Sequence, residues 1–251
     1  MKNAVWYELL PYDALKRPGV LRALAVRDVA IYLAVTPPQR AELPDAIARC
    51  RDAGLEVGVW PMLDRAEGRW PSLHNAERFV GYTASILEEL DGTARLPDVL
   101  AIDLEPPIDD LRRLMALDRH AIRRRLRDSV ALQGLVSPLT QLAHRVGERG
   151  IDTISAAFPL VLADGPGAGW QRFLGTPIDH TPTSRVSTML YTSLFEGYAR
   201  GRLSRRDVVS LLAVSAAAAH RRFGARASIS VGAVDTGALG DEPVYRTPQE
   251  L

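Results

Sequence analysis

Two acidic side chains, Asp103 and Glu105, stand two residues apart at the end of the apolar run DVLAIDLE at residues 98–105. Alternate residues of a β-strand face the same way, so both carboxyl groups point to one face of a sheet, with Ala101 below them. Two close carboxyl groups push each other's pKa values apart, and one of them can stay protonated near neutral pH as a general acid. The pair is therefore the first candidate for a catalytic site. Pairing of both acids with some of the many arginines is the structural alternative.

Seven short apolar runs alternate with helical patterns along the whole chain. Most of these runs are nearly continuous in apolar residues, which is typical of strands buried on both faces. The candidate strands are residues 4–10, 28–35, 56–63, 98–105, 152–160, 185–195 and 226–234. Helical patterns lie between them, among them residues 43–54, 75–90 and 204–224, and the last begins with Ser204 as a candidate N-cap.

Repeated strand–helix units predict an α/β fold with a parallel sheet, and seven strands favour a (β/α)8 barrel of the TIM type over an open sheet. We expect one domain over residues 1–251, with a helical insertion at about residues 108–150 after strand four. In the insertion, residues 108–128 read as one helix, and Ser137-Pro138 as the start of another. Residues 247–250 have the pattern of a helix start. A closed (β/α)8 barrel needs an eighth strand, and none is predicted. The barrel is therefore expected to be truncated or incomplete after strand seven, with an open edge that a partner or a second copy could cover.

Composition narrows the possible partners. The formal net charge is +1, so no nucleic-acid partner is expected. The most apolar stretch, residues 208–220, is too short and too rich in alanine to span a membrane, and no signal peptide is visible. A cytoplasmic location is the default expectation, and a mature secreted form is compatible with the same sequence. Cys50 is the only cysteine, so an intramolecular disulfide is not possible.

No cofactor is expected, because the sequence has neither a P-loop nor a dinucleotide fingerprint. The five histidines have no close metal-ligand spacing. Further acidic and aromatic residues follow other predicted strands, at the end where barrels of this kind carry their active sites. Carboxylates bind hydroxyl groups and aromatic faces stack on sugar rings, so these residues are candidates for binding a carbohydrate. The set comprises Glu8, Trp60, Asp64, Trp170 and Asp235.

Three consecutive predicted strands resemble the chitinase-like family 18 glycoside hydrolases. Their fourth strand carries D-x-x-D-x-D-x-E, and this chain has DVLAIDLE, with Ala101 in place of the second acid. The next strand ends in SAAFP (155–159), similar to the Ser/Thr, Ala and Pro of that family. The sixth ends in MLYT (189–192), similar to M-x-Y-D/N. The resemblance covers roughly residues 95–195. It implies a TIM barrel that hydrolyses glycosidic bonds.

The same resemblance implies a role for each matching residue. Glu105 would be the general acid that protonates the glycosidic oxygen. Asp103 would orient a substrate N-acetyl group that acts as the nucleophile, and Tyr191 would hydrogen-bond that group. Two positions depart from the family pattern: Ala101 removes an acid next to Asp103, and Thr192 replaces the acid or amide beside the tyrosine.

Two alternatives of other classes remain open from the sequence. The first is a metal-dependent hydrolase or phosphodiesterase, in which Asp103 and Glu105 bind magnesium or calcium and Glu8 and Asp235 complete the ligand shell. The second is a barrel that binds carbohydrate without catalysis, which the loss of an acid at Ala101 favours.

Overall fold

The computed structural model describes residues 3–8, 10–17, 19–93, 95–199, 202–232, 244–245 and 247. These residues form one sheet of seven parallel strands in the order β1 to β7. The strands are β1 (Asn3–Tyr7), β2 (Val29–Val35), β3 (Val57–Pro61), β4 (Val99–Leu104), β5 (Asp152–Ala157), β6 (Arg185–Met189) and β7 (Ala227–Ser230). All seven predicted strands are present within narrower bounds, and so is the parallel sheet. The sixth strand, predicted over 185–195, ends at Met189, because a helix begins at Thr192.

The helices connect successive strands. They are α1 (Val20–Val26), α2 (Leu43–Asp52), α3 (Ala76–Asp91), α4 (Ile108–Met115), α5 (Arg119–Asp128), α6 (Gln133–Gly147), α7 (Gly169–Leu174), α8 (Thr192–Tyr198) and α9 (Arg205–Phe223). Ser204 caps α9 as predicted, since its hydroxyl accepts a hydrogen bond from the backbone of Asp207. None of the helices in the described part of the chain has the length and apolarity that a membrane crossing requires.

Side chains from distant strands meet inside the curled sheet. Trp6 of β1 packs edge-to-face on Tyr32 of β2 and on Trp60 of β3, with ring centroids 5.2 and 4.9 Å apart. The phenol of Tyr32 also interacts with Arg185 of β6. In a flat sheet β2 and β6 would lie about 19 Å apart, at about 4.8 Å per strand. Tyr32 also packs in one buried cluster with Ala101 of β4 and Ile154 of β5. These interactions between distant strands show that the sheet curls as in a (β/α) barrel, which confirms the predicted fold class.

The outer face of the sheet packs on the helices in two apolar clusters. One cluster joins Leu100, Ile102 and Leu104 of β4 to residues of α3 and α6, such as Phe79 and Leu142. The other joins β1–β3 to α2 and the segment before α1, and it contains Ile31, Ile47 and Tyr12. Burial of these side chains on the helix side leaves the alternate residues of each strand facing the barrel interior.

The segment between β4 and β5 has more helices than the sequence predicted. The run 108–128, expected as one helix, is divided between α4 and α5. Leu117 adopts a left-handed conformation (φ 56°), and the Asp118 carboxylate then caps α5 by accepting hydrogen bonds from the backbone of His120 and Ala121. Pro138 was expected at the start of a helix, but it lies inside α6. The helix begins earlier, since the amides of Leu135 and Val136 both donate to the carbonyl of Leu132.

Arg125 of α5 attaches these helices to the barrel. Its guanidinium is 4% exposed and donates hydrogen bonds to the carbonyls of Phe173 and Leu174, at the end of α7. An ion pair with Asp110 of α4, at 3.8 Å, compensates part of its charge. Gly175 leaves room for this arginine, because a Cβ at that position would lie 2.3 Å from Nη2.

The two edge strands of the described sheet are β1 and β7. Apolar side chains on both are partly exposed: Val5 on β1 is 40% exposed, and Ile229 on β7 is 36% exposed. Apart from Thr247, the predicted helix start at 247–250 lies outside the described residues, as does most of the chain after residue 232.

Candidate active site

The carboxylate pair lies where β4 ends. Leu100, Ile102 and Leu104 pack on the helices, whereas Ala101 packs in the interior cluster with Tyr32 and Trp60. By strand alternation Asp103 and Glu105 follow Ala101 on the interior face, at the carboxyl end of the strand. Asp103 is only 4% exposed, and Glu105 is half-buried.

The surroundings of Asp103 favour its protonated form. Burial raises the pKa of the Asp103 carboxyl well above its usual value, and the nearby charges of Glu105 and Glu8 raise it further. Its Oδ1 is buried, and no described residue hydrogen-bonds it. An unsatisfied buried oxygen costs about 1–3 kcal/mol, so Asp103 is placed where a ligand or a proton would be stabilising.

Tyr191 joins the pair from the end of β6. Burial raises the pKa of its phenol well above the usual value, with further increases caused by Asp103, Glu105 and Glu8. A hydrogen bond between Tyr191 and Ser230 of β7 acts in the opposite direction. Ser230 in turn shares a hydrogen bond of 2.8 Å with Ser187 of β6. The three residues predicted to be catalytic are thus brought to one place.

Of the five residues predicted to bind substrate, Glu8 is the one that the described contacts bring to this group. Its charge acts on both Asp103 and Tyr191. Trp60 is buried at 5% exposure in the layer beneath, against Trp6, and its indole nitrogen has no partner among the described residues.

The other three predicted binding residues have different surroundings. Asp64 is exposed, and its charge acts on Tyr82 of α3. Trp170 lies in α7, is 43% exposed and packs edge-to-face on Phe173. Asp235 lies outside the described residues.

Two residues near the site were not singled out from the sequence. Ser187 and Ser230 are small polar residues at interior positions of β6 and β7, and they connect Tyr191 to the barrel wall. The sequence does indicate that Ser230 faces the barrel interior, because Ser228 and Ser230 alternate with the apolar Ile229 and Val231. Small hydroxyl residues also occur on ordinary strands, so this alternation alone does not distinguish a site.

Thr192 stands where the family pattern has an acid or amide, and its side chain is hydrogen-bonded to neighbouring segments of the chain. Its hydroxyl donates to the carbonyl of Val231 at 2.7 Å and accepts a hydrogen bond from the Tyr245 hydroxyl at 2.6 Å. The side chain therefore links the ends of β6 and β7. In this structure its oxygen is already used in that link.

A metal centre has no support from the described residues. Within the ranges given above, no three His, Cys, Asp or Glu side chains come together as a metal-binding group. The ligand set that the sequence suggested includes Asp235, which lies outside those ranges.

No protein-family model matches this sequence, and no curated protein matches it. Several solved structures are similar in fold. The glycoside hydrolase domain of PgaB (BpsB) from Bordetella bronchiseptica aligns with a TM-score of 0.55 at 15% identity, covering 97% of this chain and 87% of that one. A GH18 chitinase from Pseudoalteromonas aurantia aligns with a TM-score of 0.51 at 13% identity, covering 98% and 84%. A D-psicose 3-epimerase from Clostridium cellulolyticum H10 aligns with a TM-score of 0.50 at 12% identity, covering 96% and 89%.

At these identities the similarity establishes the class of fold. The chain is an α/β protein of the (β/α) barrel type, and glycoside hydrolases are among the structures that share this architecture. An epimerase shares it too, so the chemistry must be argued from the site.

Proposed function

We propose that this protein is a glycoside hydrolase-like barrel that acts on a carbohydrate by general acid catalysis. The observation that carries the proposal is the buried Asp103, whose Oδ1 has no partner among the described residues, beside Glu105 and Tyr191 at the carboxyl end of the strands. Barrels of this type have their active sites at that end. The similarity to glycoside hydrolase structures agrees with the same assignment.

The two carboxyl groups receive different roles because their exposure differs. Glu105 is half-buried and can reach a ligand in the mouth of the barrel, so we assign it as the acid that protonates the glycosidic oxygen. Asp103 is almost fully buried beside it and favours its protonated form. We assign Asp103 as the neighbour that donates a hydrogen bond within the site and orients the substrate.

Tyr191 is assigned as the third member of the site. Its phenol stays protonated, because the nearby carboxyl groups and its burial both raise its pKa. A neutral phenol can donate a hydrogen bond to a carbonyl oxygen of a bound substrate. An N-acetyl group, as the family resemblance implies, is the substrate group that fits this donor.

A barrel that binds carbohydrate without cleaving it is the second candidate. The observation that favours it is the Thr192 hydroxyl, which is used in contacts with Val231 and Tyr245 at a position where the family has an acid or amide. Ala101 removes a further acid from the interior of β4. In this candidate the same mouth holds a sugar without the complete catalytic set.

A hydrolysis screen distinguishes the two candidates. The wild-type protein, Glu105→Gln and the control Glu88→Gln, at an exposed position of α3, are incubated with a panel of oligosaccharides with and without N-acetyl groups, and the release of reducing ends is measured. We expect wild type and Glu88→Gln to hydrolyse the same substrate, and Glu105→Gln to be slower by about 10²–10⁴-fold.

Equal rates for wild type and Glu105→Gln would contradict the acid assignment. If the wild type hydrolyses no member of the panel but binds oligosaccharides in calorimetric titrations, the binding candidate replaces the hydrolase.

A further inference from the structure

The α4–α5 pair (residues 108–128) has apolar side chains that the described residues leave exposed. Met115 ends α4, and Leu117 follows in the turn before α5 with a left-handed backbone (φ 56°). Met115 and Leu117 are 56% and 75% exposed, and Leu126 of α5 is 57% exposed. By contrast, Leu111 of α4 and Ala121 of α5 are buried. Each helix therefore has a buried side and an exposed side, and the exposed side is partly apolar.

Exposed arginines lie beside these apolar side chains. Arg119, Arg123 and Arg127 recur every four residues along α5, so they lie on one face of the helix, and Leu126 follows three residues after Arg123 on the same side. All three arginines are exposed, and none of their side chains forms an ion pair or a hydrogen bond with another described residue. Arg125 faces the other way, since it is buried against α7. The exposed face of α5 is therefore basic as well as apolar.

The four aspartates of the α4–α5 pair interact with other groups. Asp110 forms an ion pair with Arg124, and the Asp118 carboxylate caps α5. Asp109 and Asp128 lie 3.7 and 3.6 Å from basic side chains of the segment between β3 and α3. The positive charge of the exposed face is thus not compensated by these acids, although the chain as a whole has a formal net charge of only +1.

We propose that the exposed side of the α4–α5 pair docks on an anionic lipid bilayer. Arginines beside such a surface are attracted to the lipid headgroups, and exposed apolar side chains are stabilised by burial at the boundary of the acyl chains. A soluble acidic polymer would pair with the arginines but would leave Met115 and Leu117 in water, so the combination favours a bilayer. Docking of this kind is peripheral and needs no helix that crosses the membrane.

Docking would also orient the barrel, because the α4–α5 pair is attached to it. The guanidinium of Arg125 donates hydrogen bonds to the carbonyls of Phe173 and Leu174. The first helix, α4, begins three residues after Glu105 and has eight residues, which is about 12 Å of helix. A docked pair would therefore hold the candidate site close to the lipid surface. Binding to lipid requires no substrate, so it is tested independently of the function proposed above.

Flotation with lipid vesicles tests the proposal. We expect the wild type to bind vesicles of equal parts phosphatidylcholine and phosphatidylglycerol, to bind them more weakly at high salt, and not to bind phosphatidylcholine alone. The charge variant, Arg119→Gln with Arg123→Gln, should bind the anionic vesicles at least about tenfold more weakly. Its matched control, Arg22→Gln with Arg49→Gln at exposed positions of α1 and α2, loses the same charge and should bind as the wild type does.

An apolar variant tests the contribution of the exposed side chains. Met115→Gln with Leu117→Asn removes the apolar groups, and asparagine tolerates the left-handed backbone of position 117. This variant should also bind the anionic vesicles about tenfold more weakly, because its side chains no longer favour the acyl boundary. Val26→Asn, at an exposed apolar position of α1, is the control and should not change the binding. Circular dichroism establishes that each variant is folded, and Arg127→Gln replaces the charge variant if that protein does not fold.

A wild type that does not bind the anionic vesicles would overturn the proposal. Equal losses in the charge variant and in its control would do so too, because net charge would then account for the binding. If the wild type binds soluble polyglutamate as tightly as the vesicles, and the apolar variant binds both as the wild type does, an acidic polymer replaces the bilayer as the partner of this face.

Discussion

Asp103 is an acid in a position where a neutral side chain would be more stable. The residue is 4% exposed, its Oδ1 has no partner among the described residues, and the charges that act on it are negative. Burial of an ionised carboxylate without a compensating partner is strongly unfavourable. A protein that retains such a residue loses stability at that position, which is common at catalytic sites.

Replacement of Asp103 by the neutral isostere asparagine should therefore stabilise the protein. The pKa of Asp103 is raised in the folded state, so its contribution to stability falls as the pH rises above the unfolded value of 3.8. We expect Asp103→Asn to gain at least about 1 kcal/mol at neutral pH, or roughly 2–4 °C in Tm. The gain should shrink below about pH 4, where the carboxyl is protonated in both states.

Thermal unfolding from pH 3 to pH 8 measures this dependence, with the exposed Asp91→Asn as the matched control. The control should change stability by about 0.5 kcal/mol or less. A loss of stability in Asp103→Asn that is the same at every pH would show that Asp103 is held by a partner as an ion.

At the scale of single residues, strand alternation was sufficient to predict which way Asp103 and Glu105 face. The position of Tyr191 followed from the similarity of MLYT to a family motif. Strand alternation alone did not distinguish Glu8 from Asp64. The charge of Glu8 acts on Tyr191 in the candidate site, whereas the charge of Asp64 acts on Tyr82 of α3. Both acids follow a strand, and only the curl of the sheet and the course of the loop after β3 decide which one faces the interior.

At the scale of elements, the barrel interior depends on a close contact between β2 and β3. The ring of Tyr32 lies over Gly58, and a Cβ there would be 2.4 Å from its Cδ1. Tyr32 is 1% exposed and touches Trp6 as well, so it has little room to move. The absence of a side chain at Gly58 is thus a condition for the aromatic layer beneath the carboxyl groups.

Gly58→Ala should destabilise the protein by about 1–3 kcal/mol, the usual effect of adding a methyl group to a packed interior. Gly81→Ala is the control, because a Cβ at Gly81 in α3 would meet nothing within 4 Å. That change should stabilise the protein by up to about 1 kcal/mol through helix propensity. Urea unfolding measures both, and a Gly58→Ala protein as stable as the wild type would contradict the packing described.

The strands were easier to predict than the helices between β4 and β5. Continuous apolar runs bounded by polar loops identify buried strands, and all seven were found. The division between α4 and α5 depends on one left-handed residue, Leu117, and on the capping carboxylate of Asp118. Both lie within a pattern that is otherwise helical. Nothing in the sequence distinguishes Arg125 from the exposed arginines, because its burial depends on contacts with α7, a later part of the chain.

At the scale of the whole molecule, the two outer clusters share residues. Tyr82 of α3 and Leu96 pack against both of them. Because of this continuity we expect residues 1–251 to unfold as one domain, as the sequence predicted. The half that contains β1–β3 and the half that contains β4–β6 should not unfold separately.

Calorimetry with one truncation in each cluster tests this expectation. Ile47→Ala lies in the cluster of β1–β3 and Leu142→Ala in the cluster of β4, and both side chains are at most 1% exposed. Each should destabilise the protein by about 2–5 kcal/mol and lower the midpoint of a single transition. Two transitions, each lowered by one variant alone, would show two domains.

General acid catalysis by Glu105 is the central claim, and the dependence on the leaving group tests it most directly. An acid is needed for a leaving group of high pKa and matters little for one that departs as a stable anion. We therefore expect Glu105→Gln to slow cleavage of a sugar–sugar bond by about 10²–10⁴-fold and to affect the nitrophenyl glycoside of the same sugar much less. An equal loss for both substrates, or no loss for either, would contradict the assignment of Glu105 as the acid.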